Sequence, residues 1–343
     1  MKFILIPNAS NKDAKNKEKK VAEHAVKSTV GAKYVEPSTV NKLTPGDKIA
    51  DLYSRNMAGY VLQRLTDRVY WVEAFNYGTI FYVGDHGVLL FDALEGVSPM
   101  VSAAIKQVSQ LPVTAVVYSH YHADHIGDIA QYVSEAEAEG RTLRIIAADK
   151  SLDKMNIVNS SYPRPTETVT FPKGSFKFEN LTVSLHGFEW AAHTDDHSAW
   201  LLEEEKVVHS PDLINPDQPP FWHFAGNERF LFSDDNLKQV RALDFVFLSG
   251  GHGNVGYKED IDFDLQFMDD LKAAVGQAMG ANDFMSFIDP GATAHTGFLS
   301  QWIAAVGKDA VAIMRPKYGE LYGFEDATLP NAEMVAFSMF EHR

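Results

Sequence analysis

The chain has no cysteine among its 343 residues. Disulfides and thiolate metal sites are therefore excluded, and any bound metal must be held by histidine, aspartate or glutamate. Positive charge is scarce: 31 Lys+Arg stand against 46 Asp+Glu, a formal net charge of −15. Nucleic acids require a basic surface, so none is expected as a partner. Long apolar runs are missing too. Nothing approaches the ~20 apolar residues that cross a bilayer. The run Phe3–Ile6 ahead of Pro7 is also shorter than the ~7–15 residues of a secretory signal. The expectation is a soluble, cytoplasmic protein with no membrane partner. At 45% hydrophobic and 22% charged residues the composition is globular, and the length allows one or two domains. Composition carries no information on oligomeric state.

What the chain does have is histidine in clusters. Val116–Asp128 reads Val-Val-Tyr-Ser-His-Tyr-His-Ala-Asp-His-Ile-Gly-Asp, placing His120, His122, Asp124 and His125 within six positions. Imidazole nitrogen and carboxylate oxygen are the ligands that zinc and similar divalent ions take. Alternate residues of an extended segment face one way, so His120 and His122 can converge on one point. Asp124 and His125, past the turn, can reach a second. A strand precedes this loop, and an apolar-periodic segment over Ile126–Val133 follows it as a helix.

His-x-His-x-Asp-His between strand and helix resembles the signature of the metallo-β-lactamase-fold hydrolases. Three later clusters resemble the rest of that pattern. Trp190-Ala-Ala-His193-Thr-Asp-Asp-His197 is similar to the third-histidine motif, with His193 at the ligand position and His197 at a hydrogen-bonding one. Lys206-Val-Val-His209-Ser-Pro-Asp212 places Asp212 where the family has its bridging aspartate, although Pro211 stands where glycine is common. Ser249-Gly-Gly-His252-Gly resembles the last ligand in its glycine setting. The resemblance covers roughly residues 60–253. It implies His120, His122 and His193 around one ion, Asp124, His125 and His252 around a second, and Asp212 between them. Two divalent ions are expected, zinc by default and manganese or iron as alternatives. Asp124 doubles as the proton carrier to the leaving group. Asp92, ending the strand Val88–Phe91, is expected to buttress the metal loop, His197 to support it without binding metal, and His209 to be a buried supporting group or an extra ligand.

Along the chain, residues 10–35 are lysine-rich and read as a solvated arm. Pro37–Pro45 reads as linker. Short β-branched and aromatic runs from Tyr60 to Phe91 form an antiparallel meander. Strands and helices then alternate, and from Ile261 onward the apolar spacing is helical, with Phe337, Met339 and Phe340 assigned to core. The fold class is α/β. The resemblance implies an αββα four-layer sandwich with an N-terminal arm (1–57), a catalytic domain (58–256) and a helical C-terminal extension (257–343).

The aromatic stretch around Phe221, Trp222, His223 and Phe224 directly follows a ligand position, with Phe75 and Tyr77 opposite. These six are assigned to a substrate pocket, with a plug of the core between domains as the alternative for the aromatics of the loop. The expected activity is hydrolysis of an apolar small-molecule carboxylic ester or lactone by a metal-activated hydroxide. A β-lactamase and a thioester hydrolase are the alternatives. An iron-dependent sulfur oxygenase and a non-catalytic binding protein are those of other classes.

Overall fold

The computed structural model describes residues 27–294 and 296–342. The lysines assigned to a solvated arm, Lys12 to Lys20, lie outside the described residues. Strands are numbered in chain order. β1 (Tyr34–Val35) and β2 (Lys48–Ile49) form a short parallel pair. β3 (Tyr60–Arg64), β4 (Val69–Ala74), β5 (Tyr77–Val83), β6 (Val88–Phe91), β7 (Val113–Val117), β8 (Arg144–Ala148) and β9 (Glu167–Val169) lie in that order in one sheet. The meander ends at β6, and β6 to β9 run parallel. A second sheet orders β10 (Lys173–Phe178), β11 (Leu181–Gly187), β12 (Ser198–Leu202), β13 (Val207–His209) and β14 (Phe247–Ser249), with only β13 and β14 parallel.

Side-chain alternation builds the layers. Trp71, Ile80, Leu89, Phe91, Ala115 and Val117 face the second sheet and pack with Leu185, Trp200, Val207 and Phe247. Their neighbours Tyr70, Val72, Phe81, Leu90 and Val116 face the other way, onto the helices Ser98–Val108 and Ile129–Ala138. The outer face of the second sheet, through Leu201, Val208 and Leu248, packs on the helices Ser233–Arg241, Lys258–Ala281, Thr296–Tyr318 and Phe324–Glu341. Three apolar layers between four layers of structure make the αββα sandwich. Phe340 packs against the helical core, whereas Phe337 is 43% exposed and is not core. It lies one residue past the buried Ala336, on a helix whose partners cover only one face.

Among the described residues ahead of β3, Lys48, Ile49 and Asn56 are tied to the rest of the fold. Lys48, fully buried, donates to both carboxylate oxygens of Asp260 at 2.8 and 3.0 Å and to the Val255 carbonyl at 3.0 Å. Asn254 exchanges two hydrogen bonds with the Ile49 backbone. A one-turn-and-a-half helix, Leu52–Met57, follows, and its Asn56 donates to the buried Glu73 at 2.9 Å. Burial, only partly offset by that bond, pushes the Glu73 carboxyl up to about 8. Unfolded chains release this proton near 4.5, so stability is full below that pH and declines as pH rises towards 8. Glu73→Gln, which keeps an acceptor for Asn56, is expected to remove the decline. It should gain roughly 2–4 kcal/mol over the wild type at pH 8 and little at pH 4.5. Urea unfolding of both proteins at the two pH values checks this, and an equal gain at both would refute it.

Candidate metal centre

Four strand ends and one turn converge at one edge of the sandwich. The parallel pair β13 and β14 opens into two loops that stay zipped: Ser210 N donates to Ser249 O, and Asp212 N to Gly250 O at 3.0 Å. Parallel strands commonly present their sites beyond their carboxyl ends. Asp212 leaves β13 with φ 62° and His252 follows β14 between Gly251 and Gly253, both at φ 80°. A Cβ on Gly251 would sit 2.5 Å from Pro211, so that glycine is required for the close approach. His120 to His125 follow β7, and His193 lies in the turn between β11 and β12.

The donor atoms form two groups sharing Asp212: His120, His122, His193 and Asp212, and Asp124, His125, Asp212 and His252, all within 4.8 Å of one another in each group. His193 Nε2 lies 3.2 Å from His120 Nε2 and 3.0 Å from His122 Nδ1. Asp212 Oδ2 lies 3.1 Å from His125 Nε2 and 3.3 Å from His193 Nε2, and its Oδ1 is 3.2 Å from His252 Nε2. Ligands about 2.1 Å from a tetrahedral ion stand about 3.4 Å apart, so the spacing fits. The buried atoms His125 Nε2 and Asp212 Oδ1 make no hydrogen bond, as expected of lone pairs aimed at a cation. All seven residues expected at the metals are thus brought together.

Charge states divide across the centre: burial opposes the charged form of His125, yet Asp212 and Asp92 hold that imidazole well above its ordinary value, whereas His120 and His122 of the other group are held neutral. Burial and the neighbouring imidazoles of His125, His193 and His122 push His120 well below its ordinary value. Burial and His193 bring His122 down to about 3. Neutral imidazoles are what a metal requires. Burial opposes the charge of Asp212, yet the surrounding His125, His193 and His252 hold its carboxyl well below the usual range.

Asp92 sits beneath the metal loop with φ 57°. Its carboxylate accepts from Ser119 N at 2.8 Å and Ser119 Oγ at 2.9 Å, and meets His125 Nδ1 at 2.9 Å and His209 Nε2 at 3.0 Å. Burial works against its ionisation, but the bonds from His125 and His209 bring it down to about 2. Such partners orient metal-binding imidazoles. His209 passes the contact on to Ser249 Oγ, and His197 Nε2 donates to the Pro211 carbonyl at 2.6 Å. His197, burial first and His193 next, is brought down to about 3. The sequence reading missed Ser119, which also meets His120 Nδ1 at 3.0 Å, and the Asn76 carbonyl, which accepts from His252 Nδ1 at 2.6 Å.

The residues assigned to a pocket divide. Phe221 stacks parallel to His252 at 6.0 Å, and Phe221 and Trp222 line a cleft of about 400 Å³ beside it. Tyr77 packs on the other side of His252 at 5.0 Å. Phe75 is 41% exposed, and Asn76 lines the cleft in its place. His223 stacks on Trp222 and does not line the cleft. Phe224 is not a pocket residue at all: it is buried against Phe230, and its backbone N–H donates to Asn331. Three successive left-handed residues, His223, Phe224 and Ala225, turn that ring inward. The cleft's other wall comes from Tyr53, Met57, Tyr322 and Asp326, which no motif marks.

Comparison with known proteins bears on this geometry. Residues 75–252, just over half of the chain, match the model of the metallo-beta-lactamase superfamily. A linear primary-alkylsulfatase from a Pseudomonas species is 35% identical over 71 residues, 20% of this chain and 13% of that protein. A UPF0173 metal-dependent hydrolase from Azorhizobium caulinodans is 28% identical over 154 residues, 43% of this chain and 58% of that protein. The chain therefore spans less than two thirds of these relatives. Two solved folds superpose on 61% of it: a metallo-beta-lactamase from Pontibacter korlensis (TM-score 0.50, 15% identity, 99% of that chain) and metallo-beta-lactamase IND-7 (0.51, 16%, 98%). At such identity they speak for the fold alone. Motif order, strand ends and matched segment coincide, and the chain belongs to the metallo-beta-lactamase superfamily.

Proposed function

We propose that this protein is a hydrolase that holds two divalent ions, zinc first and manganese or iron as alternatives, and cleaves a carboxylic ester or lactone of a small apolar substrate. The observation that carries this reading is the pair of four-residue donor groups sharing Asp212. Bound there, two such ions supply a water acidified towards neutrality and positive charge at the reacting carbonyl. The chain's own residues do the rest. Asp92 and the Asn76 carbonyl fix His125 and His252 so that each presents Nε2 to Asp212. Asp124, its side chain 36% exposed beside His125, is placed to carry a proton to the leaving oxygen. Phe221 and Trp222 offer apolar surface to the substrate.

Hydrolysis of an alkyl sulfate is the second reading, favoured by the 35% and 31% identical stretches shared with linear primary-alkylsulfatases. Metal-loaded protein assayed on phenyl acetate, a γ-lactone, a primary alkyl sulfate, a thioester and a β-lactam separates the possibilities. The expected result is fastest turnover of the ester or lactone, with two ions per chain and nearly all activity lost to a chelator. Turnover of the alkyl sulfate alone moves the assignment to the second reading, and turnover that survives complete metal removal defeats both.

A further inference from the structure

The cleft beside His252 has a composition that the metal chemistry does not explain. Its walls are aromatic: Phe221 and Trp222 from the loop after Asp212, Tyr53 from the helix Leu52–Met57, and Tyr322 just ahead of the last helix. Tyr53 and Tyr322 stack at 3.7 Å. One charged side chain lines it, Asp326, which is exposed and makes no ion pair among the described residues. Among the described residues no lysine or arginine lines it. Cations on neighbouring segments are engaged elsewhere, Lys27 with Glu320 at 3.3 Å, Arg55 with Glu36 at 2.7 Å and Arg315 with Glu325 at 2.7 Å. The cleft also adjoins the donor groups, because Phe221 stacks on His252 and Asn76 accepts its Nδ1–H.

Aromatic faces carry negative potential, and a cation over them is attracted most strongly where water is displaced. An unpaired carboxylate in the same wall adds to that field. It also makes an anionic occupant costly, in a chain whose net charge is already −15. A purely apolar occupant would use the rings and leave the carboxylate idle. Building on the ester-hydrolase reading above, but replacing its wholly apolar substrate, we infer that this cleft holds the non-reacting end of the substrate, and that this end is an alkylated ammonium group. Tyr322, one face covered by Tyr53, and Trp222, one face covered by His223, offer their remaining faces to the ammonium, Asp326 balances its charge, and the scissile bond lies towards His252.

The test uses two probes of the same shape, phenyltrimethylammonium and tert-butylbenzene, titrated calorimetrically into the full-length, metal-loaded protein. The cation is expected to bind about tenfold or more tightly than the hydrocarbon, on the scale of a desolvated cation–aromatic contact. Asp326→Asn and Tyr322→Leu, both at exposed positions, should each cut that ratio at least threefold. A wild-type ratio near one, or a ratio unmoved by both substitutions, overturns the inference. Binding is read without turnover, so the two proposals separate. Cation preference in a protein that hydrolyses no ester leaves the subsite standing and removes the functional reading. Ester hydrolysis without cation preference does the reverse.

Discussion

Asp212→Ala is expected to lower turnover at least a hundredfold and to leave the protein short of its full metal complement, with its circular dichroism unchanged. Losses of 10–100-fold are typical for residues that only support a metal ligand, so removing a donor shared by both groups should exceed them. Asp212 contributes both oxygens, Oδ2 towards His125 and His193 and Oδ1 towards His252. Alanine leaves three imidazoles on one side and a weakened set on the other. The φ of 62° at this position adds a small strain with alanine, which lacks the short polar side chain that makes aspartate tolerable there. Elemental analysis after dialysis, with turnover on the same sample, decides the matter. Full metal content with undiminished turnover would show that the bridge lies elsewhere.

Asp92→Ala is expected to act on stability rather than only on chemistry. The carboxylate is 1% exposed and has four partners, and removing it leaves His125, His209 and Ser119 N buried without an acceptor. Breaking one side of a buried charged cluster costs about 3–5 kcal/mol. Its pH signature is separate. Asp92 is held at about 2 against 3.8 in an unfolded chain, so its contribution is full above pH 3.8 and lost as pH falls through 2. The wild type should therefore shed about 2 kcal/mol across that window that the variant does not. Denaturant midpoints between pH 2 and 5 measure both effects. A variant with wild-type stability at neutral pH would remove Asp92 from the role of buttress.

The metal centre was legible because its donors are chemically rare. His120, Asp212 and His252 shortly follow apolar strands, and His193 lies in the turn past β11. Even the unusual Ser-Pro before Asp212 did not hide it, because the left-handed residue of that turn is Asp212 itself, and aspartate tolerates such a backbone. The layers were legible because Trp71 and Val72 alternate, and alternation assigns faces. Phe224 was misread because three consecutive non-glycine residues with positive φ leave no trace in composition. Tyr53, Tyr322 and Asp326 were invisible for another reason. They meet across some 270 positions of sequence, through tertiary contacts such as Lys48 with Asp260 that no local pattern encodes.

That last arrangement has a consequence for how such a protein changes over evolutionary time. The donors lie within the segment shared with the superfamily, whereas Tyr53, Met57, Tyr322 and Asp326 lie outside it, in the flanking segments. Substitutions in the flanks can reshape the proposed substrate cleft without replacing a single donor residue. Closely similar centres in this superfamily are then poor guides to what each protein consumes. With the cleft proposed as the seat of the substrate, substitutions at Tyr53, Tyr322 and Asp326 are a more direct route to a new substrate range than any change near the histidines.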